Sequence, residues 1–380
     1  MSPGREVSGR QALLVTVTPN PSVDRVWHIA GFRPGGAHRV VRSWAAAGGK
    51  GCNVARAALD LAWAMSGPAR CPRVLLRVVA TGFLAGTAGD FVERDLAGRG
   101  VRVAFVRLAG GETRTCPTIV DTLSGEVTEI REPGPALALA DAGALEERLA
   151  SLLGEAEAEG VPAVVTLSGG LPPEAPKDLY ARLIRAAARR RVPCVLDTSG
   201  EPLAAGVGAG PWAVKVNEEE LKSLGLDPAA RAGIPGETAE RDLAARLEAL
   251  GERGVRLAVA TRGRQGLLAY DGRTLWRGTL PGELDVVQPV GSGDAATAAL
   301  AVRLAGWLAR GALQAGDRPD LGLVSVPEPE RMEVIRDMAA AGAANATTEG
   351  IATCPRDVFR AMRERARIEP VSFPPRAGRP

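Results

Sequence analysis

Apolar residues along this chain fall into two alternating patterns. Short uninterrupted runs at 13–17, 74–80, 101–106, 163–167, 194–197, 212–215, 257–261 and 267–270 read as strands, most of them buried on both faces. Between them the apolar positions spread out to helical spacing, at about 51–65, 85–99, 138–154, up to 191, from 216, and at 237–251, 295–308, 331–346 and 356–367. Strands separated by helices of this length predict an α/β fold: a doubly wound, mostly parallel sheet flanked by helices. The alternation breaks twice. Residues 26–43 alternate weakly around Gly35-Gly36, and 112–120 with 126–131 are two β-like runs about a turn at 121–125, with no helix between. Hairpins that interrupt such a pattern leave the main sheet, so segments of about 22–44 and 110–132 are expected to form a small β-sheet lid. Residues 311–330, rich in Gly, Pro and Asp, read as an exposed loop. The ends, 1–10 and 369–380, read as flexible tails around one domain at 11–368.

Composition narrows the possibilities. The 380 residues carry a net charge of +3 with mixed signs throughout, which calls for neither a nucleic acid nor an anionic membrane as partner. The basic run 185–191 is the solvated face of a helix. No apolar stretch is long enough to span a bilayer, and residues 1–10 lack a signal-peptide core, so a cytoplasmic protein is expected. Cys52, Cys71, Cys116, Cys194 and Cys354 are scattered, and His28 and His38 are the histidines. That pattern fits neither structural zinc nor a disulfide framework.

The candidate chemistry centres on Gly291-Ser292-Gly293-Asp294, at the start of the 295–308 helix. A glycine turn opening a helix leaves backbone N–H groups unpaired at its positive end, where phosphate oxygens bind. An aspartate there repels anions, which makes sense if it takes a proton from an attacking hydroxyl. The plain alternative is N-cap chemistry. A second glycine cluster, Gly48-Gly49-Lys50-Gly51 with Asn53, also meets a helix start, and it lacks Walker A spacing. Asp24, Ser168, Thr198 and Lys215 follow or end strands, where α/β sheets place ligands. Asn217 and Glu220, three apart at a helix start, could hold hydrated Mg²⁺ or simply cap the helix. Arg114, between two threonines, offers a two-pronged phosphate donor or an ordinary exposed strand arginine. No Ser–His–Asp arrangement is present. Phosphoryl transfer needs none, since positioning, anion stabilisation, a metal and a base suffice.

Eight segments taken in order resemble one family. They are Thr18-Pro19-Asn20-Pro21 with Asp24, Gly48-Gly49-Lys50-Gly51 with Asn53-Val54-Ala55-Arg56, Thr113-Arg114-Thr115, and Glu132-Pro133-Gly134-Pro135. The others are Ser168-Gly169-Gly170-Leu171-Pro172-Pro173, Asp197-Thr198-Ser199-Gly200-Glu201, Lys215 with Asn217 and Glu220, and Gly291-Ser292-Gly293-Asp294. Together they resemble the ribokinase-like (PfkB) sugar kinases, and more narrowly the 1-phosphofructokinase and tagatose-6-phosphate kinase branch.

The resemblance implies a ribokinase-like fold that uses ATP and Mg²⁺, with Asp294 as catalytic base. The turn Gly291–Asp294, through the amides of Ser292, Gly293 and Asp294, would surround the transferred phosphoryl group. Asp24, Gly48, Gly49 and Asn53 would bind sugar hydroxyls, and Arg114, Lys50 and Arg39 would face the phosphate the substrate already carries. Lys215, Asn217 and Glu220 would act around the ATP phosphates, with Asn217 and Glu220 meeting the metal through water. Thr261 and Gly263 would meet the nucleotide, with Asn345 near the adenine side, and the lid would pair two subunits into a homodimer. The implied reaction is phosphorylation of fructose 1-phosphate to the 1,6-bisphosphate, with fructose 6-phosphate or tagatose 6-phosphate as alternative substrates. A kinase for an unphosphorylated sugar fits less well with two cations at the expected phosphate end, and a non-catalytic sensor fits less well with Asp294 in place. The chain departs from the family pattern at Cys116 (usually Asn), Val216 (Pro), Ser292 (Ala) and Gly170 (Ser).

Overall fold

A computed structural model describes residues 10–65, 74–226, 239–313 and 326–373. The chain enters through β1 (Gln11–Thr18), leaves the main sheet for β2 (Ser22–Ile29) and β3 (Val40–Gly48), and returns by α1 (Lys50–Ala64) to β4 (Leu75–Leu84). After α2 (Gly86–Gly98) come two short strands, β5 (Arg102–Val103) and β6 (Val106–Arg107), then β7 (Arg114–Asp121) and β8 (Val127–Glu129). Regular alternation follows: α3 (Leu139–Ala158), β9 (Ala163–Ser168), α4 (Leu179–Arg189), β10 (Cys194–Asp197), α5 (Gly200–Val207), β11 (Ala213–Asn217), α6 (Glu218–Ser223), α7 (Ala239–Glu252) and β12 (Leu257–Thr261). The meander β13 (Leu267–Tyr270) and β14 (Leu275–Thr279) precedes α8 (Ser292–Arg310), α9 (Glu328–Ala346), α10 (Arg356–Arg365) and β15 (Arg367–Pro370).

The main sheet has eleven strands in the order β15-β14-β13-β12-β11-β10-β9-β1-β4-β5, with β6 also paired to β4. From β12 through β1 to β4 every pairing is parallel, and β12 to β15 form an antiparallel edge. Both faces are covered, which is why the central strands read as continuous apolar runs rather than alternating ones. Leu13, Val15 and Val17 of β1 pack with Leu145 and Leu149 of α3, Leu183 of α4 and Leu247 of α7. Ala12 and Leu14 point the other way, into the layer holding Val54 and Leu61 of α1, Leu300 and Leu304 of α8, and Met338 of α9. The separate lid is a four-stranded sheet, β3-β2-β7-β8, whose central pair β2–β7 is parallel.

Several expectations need correction. The run 101–106 divides into β5 and β6, because Phe105 turns inward at 7 % exposure while Ala104 N–H still bonds Ala80 O. The helix α5 and strand β14 were not foreseen. The tail begins later than expected, since Glu369 and Pro370 belong to β15; an edge strand reading Arg-Ile-Glu-Pro has no apolar run to announce it. Residues 328–330, read as loop, open α9, with proline in the first turn where no helical donor is lost. The rest of that expected loop from 314 to 325, and the tails 1–9 and 374–380, lie outside the described residues. The first lid segment runs beyond 44 to Gly48, because β3 pairs with β2 as far as Ser22. No described helix is long and apolar enough to cross a membrane.

Candidate active site

The carboxyl ends of β1, β9, β10, β11 and β12, the lid and the start of α8 surround one cleft of about 710 Å³, within the usual range of roughly 300–1,000 Å³ for small-molecule sites. At its floor α8 begins with Gly291 in the left-handed region (φ 88°). A Cβ at that position would lie 2.6 Å from Ala352 N, so the turn requires glycine. The N–H groups of Gly293 and Asp294 have no partner among the described residues, whereas Ser292 N–H bonds Pro289 O at 3.3 Å. The anion site therefore offers two free amides, not the three expected. Gly293 also leaves room for Lys215, since a Cβ there would stand 3.0 Å from Nζ.

Asp294 is 6 % exposed and its Oδ2 accepts a 2.7 Å hydrogen bond from Asn53 Nδ2. Burial and the nearby carboxylate of Asp197 push its carboxyl up to about 6, against the opposing pull of Lys50, Lys215 and the Asn53 amide. Asp197, at the end of β10, is fully buried and accepts from Lys215 Nζ (2.7 Å), Lys50 Nζ (2.9 Å) and Thr297 Oγ1 (2.8 Å). Burial alone would raise this carboxyl, but the two ammonium groups outweigh it and hold it far below the usual range. Asp197 was not singled out beforehand as a site residue. The available signal was an aspartate closing an otherwise apolar strand among other polar strand ends.

Lys50 corrects an expectation. Its ammonium lies between Asp197 and Glu220 (3.3 Å), on the side of the cleft formed by the ends of β10 and β11, rather than beside Arg114. Burial opposes its charge, yet Asp197, Glu220 and Asp294 more than offset that and raise its pKa. Asn217 and Glu220 form a reciprocal cap on α6: Glu220 N–H donates to Asn217 Oδ1 and Asn217 N–H to Glu220 Oε2, each at 2.8 Å. Both also line the cleft, leaving Glu220 Oε1 toward Lys50.

On the lid side, Ser22 Oγ donates to Asp24 Oδ1 at 2.6 Å, and burial raises the Asp24 carboxyl despite Ser22, Arg56 and Arg114 nearby. Gly48 is needed here because a Cβ would fall 2.0 Å from Asp24 Oδ1. Gly49, at φ 96°, starts α1. Arg114 donates to Asn20 O (2.9 Å) and Glu132 O (3.3 Å), while its Nε is buried with no partner among the described residues. Cys116 lines the cleft beside it, two residues along β7, and pairs in register with Asp24.

Of the expected residues, Asp24, Gly49, Lys50, Asn53, Arg114, Lys215, Asn217, Glu220, Thr261, Gly291, Gly293 and Asp294 line the cleft. Gly48, Ser292 and Gly263 (φ 54°, opening the turn after β12) are not part of its lining. Two others fall elsewhere. Asn345 is fully buried; its Nδ2 donates to Val290 O (3.0 Å) and Ser292 Oγ (2.9 Å), and its Oδ1 accepts from Thr353 N–H (3.0 Å). With its amide already satisfied, it braces the turn that opens α8 instead of facing a base. Arg39 is exposed on the lid loop and outside the cleft lining.

This arrangement can hold an anion on two amides and the ammonium groups of Lys50 and Lys215, beside a carboxylate suited to take a proton. The comparisons agree. The chain is 29 % identical over 291 residues to the tagatose-6-phosphate kinase of Staphylococcus epidermidis, covering 76 % of this chain and 84 % of that one. Phosphofructokinase-2 from Escherichia coli, solved with potassium, superposes with a TM-score of 0.70 at 25 % identity, covering 93 % of this chain and 98 % of that one. A structure described as a possible 1-phosphofructokinase from Thermotoga maritima gives 0.71 at 21 % identity, covering 95 % and 100 %, a likeness of fold. A sequence model of pfkB family carbohydrate kinases matches residues 19–317, and the chain accordingly belongs to that family, as an enzyme that moves a phosphoryl group from ATP to a sugar.

Proposed function

We propose that this enzyme phosphorylates a free hydroxyl of a sugar phosphate, with fructose 1-phosphate as the substrate and fructose 1,6-bisphosphate as the product. The observation that carries the sugar-phosphate reading is Arg114. Its guanidinium lines the same cleft as Asp24 and Asp294, and Asn20 O and Glu132 O take only two of its five N–H donors, leaving others for a phosphate oxygen. The choice of fructose 1-phosphate rests on the eight-motif resemblance. A second reading, tagatose 6-phosphate or fructose 6-phosphate, is favoured by the similarity to the staphylococcal protein.

In this reading Asp24 orients the sugar by its hydroxyls and Arg114 grips the phosphate already present. Asp294 accepts the proton of the attacking hydroxyl as the oxygen approaches the γ-phosphorus. The free N–H groups of Gly293 and Asp294, with Lys50 and Lys215 alongside, stabilise the charge on the phosphoryl group in transit. No described cluster of three His, Cys, Asp or Glu is present, so Mg²⁺ would have no all-protein cage. One cleft carboxylate, Glu220, and the Asn217 amide fit an ion carried mainly by phosphates and water. When bound, that ion neutralises charge between the ATP phosphates. Five of the nine large apolar residues exposed among those described, Val40, Val41, Leu123, Val127 and Ile130, lie on the lid, which supports a homodimer formed there.

The test is Mg-ATP-dependent ADP release measured with fructose 1-phosphate, fructose 6-phosphate, tagatose 6-phosphate, fructose and ribose. Highest kcat/KM for fructose 1-phosphate is expected. Preference for a 6-phosphate selects the second reading, and preference for fructose or ribose removes the role given to Arg114.

A further inference from the structure

Asn53 sits on the first turn of α1 between two charged groups. Its Nδ2 donates to Asp294 Oδ2 (2.7 Å), and its Oδ1 accepts from Arg56 Nη2 (2.6 Å). The two ends of an amide are nearly alike in shape but opposite in hydrogen bonding, so the neighbours decide which way it faces. A guanidinium can only donate. It fixes the oxygen on its own side, and the NH₂ group must then face the carboxylate. Positions three apart on a helix share a face, so α1 delivers both residues to the same spot.

Arg56 is an expensive group to keep there. It is 7 % exposed, and its Nε is buried without a partner among the described residues. Burial lowers its pKa and Arg99, just past the end of α2, adds to that, while Asp24 of β2, Asp95 of α2 and Cys52 of α1 oppose it. A buried arginine with an unsatisfied donor is weak evidence for stability and calls for another explanation.

We propose that Arg56 is a positioning residue for phosphoryl transfer: it locks the Asn53 amide so that an N–H always meets Asp294, keeping that carboxylate ionised and aimed into the cleft. The inference rests on Asp294 acting as the base, as set out above. The groups facing Asp294 are Asp197 from β10, Lys215 from β11, and Lys50 and Asn53 from α1. Asn53 contributes a hydrogen bond that favours the charged form. Releasing the amide raises the carboxyl's pKa, and the acid limb of kcat moves to higher pH.

The test is the kcat–pH profile of the full chain, on whichever sugar phosphate supports turnover, for wild type and for Arg56→Met, Arg56→Lys and Asn53→Asp. Arg56→Met is expected to bind ATP, to lose about tenfold or more in kcat, and to shift the acid limb up by roughly half a pH unit or more. Arg56→Lys keeps a charge and a donor, and should return the limb to within about 0.3 units of wild type. A folded Arg56→Met with the wild-type limb overturns the proposal. Should Arg56→Met fail to fold, Asn53→Asp decides. Its carboxylate keeps Arg56 as partner but sets a second negative charge against Asp294, so the limb should rise by about one unit or more. An unmoved limb in that variant overturns the proposal as well. Failure of the parent reading looks different: Asp294→Ala would then keep wild-type turnover, whatever Arg56 does.

Discussion

At the scale of single residues, the site is a set of charges held in unequal environments. Asp197 and Asp294 are both buried, yet Asp197 meets two ammonium groups at hydrogen-bond distance and Asp294 has one amide. The pair therefore splits, one carboxyl held low and the other pushed up to about 6. A base works only when ionised, so turnover should fall as pH drops through about 6, instead of through the usual aspartate value near 4. An acid limb of kcat at the ordinary value would mean that Asp294 is neither dry nor opposed by Asp197. Arg114 belongs to a different step. Arg114→Ala should raise KM for the sugar phosphate by about tenfold or more while leaving KM for ATP within about twofold. Equal effects on both constants would deny it the phosphate.

At the scale of elements, the turn into α8 is set by glycine geometry. Gly291 and Gly272 have nearly the same φ, 88° and 84°, but a Cβ at 272 meets open space while one at 291 meets Ala352 N. Gly272→Ala should cost about 1–2 kcal/mol from conformation alone and leave kcat unchanged. Gly291→Ala should cost more and also lower kcat, because the free amides would move with the turn. Thermal unfolding read beside turnover separates the two. Runs such as 194–197 and 257–261 became strands at those bounds, since burial on both faces leaves no polar position to blur them. Strand β15 stayed hidden because an edge strand needs no apolar alternation. Spacing marked the Asp294 turn, but Asp197 emerged only when β10 and β11 lay side by side and brought Lys215 to it. Asn345 illustrates the converse: proximity to the turn was legible, while the full satisfaction of its amide required the folded partners.

At the scale of the whole molecule, a sheet covered on both faces supplies a rigid platform, and a second, small sheet supplies the other wall of the cleft. Asp24 and Arg114 come from that lid, whereas Asp294 and Lys215 come from the platform. Val41, 72 % exposed on β3, is a natural probe of the proposed pairing through the lid. Val41→Asp should convert a dimer to a monomer by light scattering, and an unchanged dimer would move the interface elsewhere. The central claim is that unpaired amides at the start of α8 and the Asp294 carboxylate act together on a phosphoryl group and its acceptor. It is tested most directly by measuring kcat and ATP affinity in Asp294→Ala. The account predicts a fall in kcat of about 10² or more with ATP affinity within a few-fold of wild type; turnover close to wild type in the folded variant would contradict it.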